Sequence, residues 1–376
     1  MIQSDALFNI YIDANILLAE AVLLWLAVCW MLGLAGLKLA PRTRLFLLNG
    51  VCLTVLVSPL LVAAMALGLA PQGLSVNLTD FMLALYLNGS IEMRPSEFEQ
   101  VLGLRDSLTS NIVGLQSLAG LAVVTLLGIG LVLFAARMAG NVISLRRLIR
   151  SSYVWHRAGS VHIRLSDTIA VPFSTRSLTK RFVVIPSELL AHQRDLKIVL
   201  QHEFQHLRQR DIEWEIVMEF LRLFFFWNPA FHIWKRQVEE LREIACDQRV
   251  LARSTISAKS YCECLVRVCQ NSLRREAALV PAMPLVGLIQ FRKWPFRKRS
   301  AIGLKRRIAA IFEGRERRSS HYLTAVVMAP LAIVVVLSAL AIQSPPDWSY
   351  DRIMLSTIVN LERLDAINGL GTRPLR

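Results

Sequence analysis

Four apolar runs, at about residues 16–37, 45–70, 112–136 and 322–342, are each long enough to cross a bilayer as a helix. A spanning helix needs about 20 predominantly apolar residues, because the hydrocarbon layer is about 30 Å thick and a helix rises about 1.5 Å per residue. Inside that layer each backbone N–H and C=O must be bonded within its own segment, which leaves the α-helix as the solution for isolated runs. Composition agrees, with 54% hydrophobic residues and a mean hydropathy of +0.45, above soluble globular domains. The first run does not read as a cleaved signal peptide: no basic stretch precedes it, it exceeds a signal core in length, and Asp5 and Asp13 lie upstream. The chain is expected to be a mostly α membrane protein with four transmembrane helices.

Basic residues orient those helices. Lys38, Arg42 and Arg44 mark the first connection as cytoplasmic. In the next connection, 71–111, Arg94 and Arg105 are outnumbered by Asp80, Glu92, Glu97, Glu99 and Asp106, which places it outside. Arg137, Arg146, Arg147 and Arg150 follow the third run and put the long middle region inside. The expected organisation is an N-terminal membrane region at 1–137, a cytoplasmic domain with a basic juxtamembrane segment at 138–320, a fourth span at 321–343, and a short external tail at 344–376. Both termini lie outside. A dense basic block from Arg292 to Arg318 explains most of the +15 net charge. Its place beside a span assigns it to anionic lipid head groups. No nucleic-acid-binding module accompanies it, so no direct nucleic-acid binding is expected.

The middle region carries Gln201-His202-Glu203-Phe204-Gln205-His206. Leu196, Val199, Leu200 and Phe204 fall at helical spacing, and no Gly or Pro follows until well past Arg210. On a helix, residues four apart share a face, so His202 and His206 converge on one metal ion. Glu203, one residue after the first imidazole, reaches a metal-bound water and takes its proton. A catalytic zinc takes three protein ligands and a water. Glu243, in a second predicted helix over Glu240–Asp247, is the candidate third ligand. Asp247 shares its face and is positioned to orient a ligand histidine from behind. The competing reading makes Glu243 and Asp247 a solvated acidic face beside Arg242 and Arg249.

The stretch from about Val184 to Leu251 resembles the BlaR/MecR-type membrane metallopeptidases, the beta-lactam-sensing receptor proteases of metallopeptidase family 56. The matching residues are Val184-Ile185-Pro186, Gln201 to His206, Arg210-Asp211, Trp227-Asn228-Pro229 and Glu243-Ile244-Ala245-Cys246-Asp247, in that order. The resemblance implies an α+β zincin-like (gluzincin) domain between spans three and four, in a bacterial inner membrane. It also implies one Zn2+ per chain on His202, His206 and Glu243, with Glu203 as catalytic base. Asp247 and Asp211 would fix ligand geometry. The implied role is transmembrane signalling, in which proteolysis of the protein itself or of a cytoplasmic transcriptional repressor passes an external event inward. Those receptors carry a large penicillin-binding domain after the last span, whereas here 343–376 follows, with Ile353, Leu361, Leu364 and Ile367 suggesting a small amphipathic helix. Sensing by acylation is therefore not expected. Two further readings stand beside this one: a non-catalytic membrane sensor or scaffold, and a housekeeping quality-control metalloprotease.

Other segments refine the expectation. The apolar stretch 216–234 is too interrupted, by Glu219, Arg222 and Asn228-Pro229, to be a fifth span. A crossing there would also part His206 from Glu243. It is read as a core helix or one in the membrane interface that returns at Asn228-Pro229. Strands are expected at Val161–Leu165, Ile169–Phe173 and Arg181–Pro186, one of which could hold a substrate backbone by strand addition. Ser177-Leu178-Thr179-Lys180 is read as a loop, Cys262, Cys264 and Cys269 as reduced thiols, and His232 as a core histidine beside Phe231 and Trp234.

Overall fold

A computed structural model describes residues 2–36, 39–64, 78–101, 117–177, 179–274, 286–287, 297–313, 321–341 and 350–371. Leu178, within the loop expected at 177–180, lies outside them. The chain forms two compact units, one of 1–28, 50–128 and 326–376, the other of 29–49 and 129–325. In chain order the first elements are α1 (Ile2–Leu34), α2 (Pro41–Ala64), α3 (Leu78–Leu87), α4 (95–101) and α5 (Leu118–Ser151). Next come β1 (Tyr153–Ala158), β2 (Val161–Ser166), β3 (Phe173–Arg176) and β4 (Arg181–Pro186). They are followed by α6 (Gln193–Gln209), α7 (Asp211–Phe224), α8 (Pro229–Arg253), α9 (Ala258–Arg274), β5 (Val286–Gly287), α10 (Arg297–Phe312), α11 (His321–Ala341) and α12 (Tyr350–Gly371).

Two helical stretches, Phe8–Leu34 and Leu118–Ser151, are long and apolar enough to cross a membrane. A core helix of a soluble protein would bury that surface, but only 6% of the most apolar part of α5 is buried. Leu118, Leu126, Val132 and Leu133 all stand exposed. Among the described residues little covers that surface, which suits lipid better than water. In the first unit, α1 and α11 are joined by Ser338, whose hydroxyl donates to Glu20 Oε1 at 2.5 Å. A small cluster holds α12 to α3 and α4 through Leu83, Phe98, Leu355 and Val359. Glu362 Oε2 accepts the Ser96 backbone N–H at 3.0 Å, satisfying an otherwise orphaned donor at the start of α4. The face of α12 differs from the expected one: Leu361 and Leu364 are exposed, and Leu355 and Val359 are inside. The Glu362 contact sets that rotation.

The second unit is built on a mixed sheet of order β1-β2-β4-β3-β5. β2 and β4 run parallel, and β3 is antiparallel to both β4 and β5. The expected strand at 169–173 begins only at Phe173, opposite Val184. Pro172 has no N–H to give the ladder, so pairing starts after it. β1, absent from the expectation, is exposed along its whole length and so shows no alternating pattern to read. Val142, Leu145, Leu148 and Ile149 of α5 pack on Ile169, Phe173 and Val184, so the last turns of this long apolar helix join the sheet. On the other side a single core joins Ile163, Val183 and Ile185 with α6 (Val199, Leu207), α8 (Cys246, Val250), α9 (Tyr261, Leu265) and α10 (Ile311).

The apolar stretch 216–234 reverses direction. Lys235 Nζ lies 2.6 Å from Glu215 Oε1 and 3.0 Å from Glu219 Oε1, which a continuous crossing helix would forbid. α7 stops at Phe224, and Asn228 Oδ1 accepts the Ala230 N–H at 2.9 Å to start α8 with Pro229 in its first turn. At the elbow the Phe226 ring rests on α5, so close to Gly130 that a Cβ there would lie 2.3 Å from it. The same ring tilts against Phe134 at 5.2 Å. His232 is not a core residue: it is exposed, and its Nε2 meets the Phe226 carbonyl oxygen at 2.8 Å. On the first turn of α8, Phe231 and Trp234 face inward and position 232 faces out.

Candidate metal centre

α6 delivers both histidines. Its apolar face enters the core, which carries His202, Glu203 and His206 to full burial. His202 Nε2 and His206 Nε2 are 3.0 Å apart. Glu243, on α8, brings Oε2 to 3.6 Å from His202 Nε2 and Oε1 to 3.6 Å from His206 Nε2. The expected residues are thus brought together, and Glu243 and Asp247 are buried rather than a solvated face.

The far nitrogen of each imidazole has its own partner. His206 Nδ1 donates to Asp211 Oδ2 at 2.7 Å. His202 Nδ1 lies 2.8 Å from the Tyr261 hydroxyl, which itself donates to Asp247 Oδ1 at 2.7 Å. Because the tyrosine proton is committed to Asp247, its oxygen accepts from His202. Both imidazoles therefore turn the Nε2 lone pair toward the space shared with Glu243, since the bond at one ring nitrogen selects what the other offers. Arg307, on α10, closes the far side: Nε and Nη2 donate to the two oxygens of Asp247 at 2.7 Å each. Its Nη1 sits 3.1 Å from Glu243 Oε2 as an ion pair without hydrogen-bond alignment.

Sequence reasoning missed Tyr261 and Arg307, which come from helices with no motif of their own. It also gave no end for the metal helix. α6 ends at Gln209 because Arg210 adopts the left-handed conformation (φ 59°), alone among the described non-glycine residues. That break turns Asp211 back onto His206. Arg242 secures it by donating to the Asp211 carbonyl at 3.3 Å and to Glu215 Oε2 at 2.8 Å.

Electrostatics follow from burial and pairing. Burial disfavours the charged imidazole of His206, but Cys246, Glu243 and the Asp211 bond outweigh it and raise the pKa to about 10. His202 is likewise raised, against burial, by Cys246, Tyr261 and Asp247. Burial pushes Glu203 up, with the two imidazoles and Ser174 opposing. Burial acts the same way on Glu243 and Asp247, but His206 and Arg307 hold the first below the usual range, and Arg307 with His202 the second. A metal ion at these nitrogens competes with protons for them.

The donor set fits a tetrahedral ion. Bonds of about 2.0–2.1 Å separate neighbouring donors by roughly 3.3 Å; the two Nε2 atoms are 3.0 Å apart, and each lies 3.6 Å from a different oxygen of the Glu243 carboxylate. Both carboxylate oxygens of Glu203 and of Glu243 are buried with no hydrogen-bond partner among the described residues, which leaves lone pairs to be satisfied by something else. A second grouping, His202, His206 and Cys246, also has ligand atoms within 4.8 Å of one another. Its sulfur, however, lies 3.6 Å from His202 Nδ1, the nitrogen already bonded to Tyr261.

A buried histidine pair on one helix, flanked by buried acids and set against a mixed sheet, is the arrangement of a metal-dependent hydrolase centre. A family profile described as BlaR1 peptidase M56 matches residues 21–286, well over half of the chain, and the chain belongs to that family. No curated protein matches it.

Proposed function

We propose that the chain is an integral-membrane zinc metalloendopeptidase whose ion is held by His202, His206 and Glu243. The observation that carries this reading is the pair of Nε2 atoms 3.0 Å apart, each 3.6 Å from one of the two Glu243 carboxylate oxygens, with both Nδ1 atoms committed elsewhere. Zinc there would lower the pKa of a bound water and polarise the scissile carbonyl. Glu203 takes the water's proton and returns it to the leaving amine, a task its raised pKa suits. Asp211 holds His206, and Asp247 holds His202 through Tyr261. β3 lies beside the metal helix, and its outer edge, paired with Val286–Gly287 at Phe173 and Ser174, is where a substrate strand would add beyond those two residues.

The topology reading is four spans, with the catalytic unit inside and both termini outside. Parity supports it. α12 packs on α3 and α4, so those elements share one side of the membrane. Between them lie α5 and α11, and if α5 crosses, α11 must cross back. The α7–α8 elbow is read as lying in the inner interface. Its exposed Val217, Phe220, Phe224 and Trp227 form an apolar face, and Phe226 meets α5 within the apolar part of that helix.

Regulated cleavage of the chain itself or of a cytoplasmic repressor is the signalling role this reading carries. Elemental analysis of detergent-purified protein tests the centre: about one zinc per chain is expected in wild type, lost in His206→Ala and Glu243→Ala. Glu203→Ala should keep the metal and lose hydrolysis. Cleavage retained in that variant would remove Glu203 from its role.

A further inference from the structure

We propose that Arg307 is a positioning residue of the metal centre, holding Glu243 and Asp247 in place from α10. The inference rests on the zinc reading above. Composition assigns the basic block to lipid, yet Arg307 is 6% exposed and turned into the protein. Its fork engages both oxygens of Asp247 and reaches Glu243, the bidentate geometry that a guanidinium provides and an ammonium does not.

Burying a guanidinium is strongly unfavourable unless it is fully paired, so this placement implies a specific partner. Leu304, Ile308 and Ile311 pack α10 onto the common core and offset part of that cost. Arg306, the next residue, donates from Nη1 to both oxygens of Glu240 at 2.6 and 2.8 Å. Glu240, Glu243 and Asp247 occupy one face of α8, and the two arginines fix that face in register. Arg307 never touches the metal or the reacting atoms. It acts by keeping the Glu243 carboxylate aimed at the paired Nε2 atoms and the Asp247–Tyr261–His202 relay intact. It also lies beyond the 21–286 match, so the centre is closed by a segment outside the matched region.

Zinc affinity of the full chain in detergent, titrated against a chromophoric chelator, tests this without reference to activity. Arg307→Gln should weaken zinc by about 10–100-fold, Arg307→Lys by a smaller factor of more than about threefold, and Arg306→Gln by less than about threefold. Wild-type affinity in Arg307→Gln, or an equal loss in Arg306→Gln, overturns the assignment. If Arg307→Gln does not fold, Arg307→Lys decides: a loss above about threefold supports the role, and a smaller one overturns it. Wild type that takes up no zinc overturns the metallopeptidase reading itself, a result distinct from wild type that binds while the variant binds equally.

Discussion

Asp211 reaches His206 across five residues, at 2.7 Å, although on a continuous helix the two would point in different directions. The left-handed Arg210 makes the contact possible. An L-residue in that conformation carries a steric penalty that glycine lacks. Arg210→Gly should therefore leave stability unchanged or raise it by up to about 1 kcal/mol, and the β-branched Arg210→Val should lower it. Thermal unfolding in detergent reads both.

Asp211→Asn keeps the size of the side chain but removes the charge facing His206 Nδ1. Zinc affinity should fall by about 10–100-fold with the fold retained. An unchanged dissociation constant would show that His206 needs no orientation from this carboxylate.

The Phe226–Gly130 contact has no room for a methyl group, since a Cβ at 130 would lie 2.3 Å from the ring. Gly130→Ala should destabilise the elbow by about 1–3 kcal/mol. Adding Phe226→Ala should recover part of that loss, because the clash disappears with the ring. Strict additivity of the two changes in a melting experiment would deny the contact.

Glu215 sits between Arg242 and Lys235. Burial raises its pKa, but the two cations outweigh this and bring it to about 2. A depressed carboxylate contributes stability that is present above its unfolded pKa, about 4.3, and lost as pH falls toward 2. Unfolding temperature should therefore drop across that window in wild type and fall less steeply in Glu215→Gln. The variant should also be about 3–5 kcal/mol less stable near neutrality, because two buried cations lose a partner. Parallel acid profiles for the two proteins would contradict this.

What could be read in advance is what has a short period. The four-residue spacings of His202 with His206 and of Glu243 with Asp247 translate directly into shared helix faces, and apolar runs translate into apolar helices, two of them long enough to cross a membrane. What could not be read depends on partners distant in sequence. Tyr261 meets Asp247 across 14 residues, and Arg307 meets it across 60. No local pattern separates Arg307, which turns inward, from its exposed neighbour Arg306. Arg210 breaks its helix without glycine, proline or asparagine, so the boundary carries no signal in residue type. On α12, Leu361 and Leu364 stand exposed while Leu355 and Val359 are inside, and apolar spacing alone does not say which residues find partners.

The packing of α12 on α3 and α4 bears on what self-cleavage would accomplish. A cut within 313–320, between α10 and α11, would sever the peptide chain but not the Leu83–Phe98–Leu355–Val359 cluster or the Ser338–Glu20 bond. The nicked protein would stay assembled, its two pieces migrating together under native conditions and parting only in denaturant. Such a scission would release α10 from the segment that follows it while letting nothing diffuse away, making the cut a change of constraint on Arg307 rather than a liberation of product.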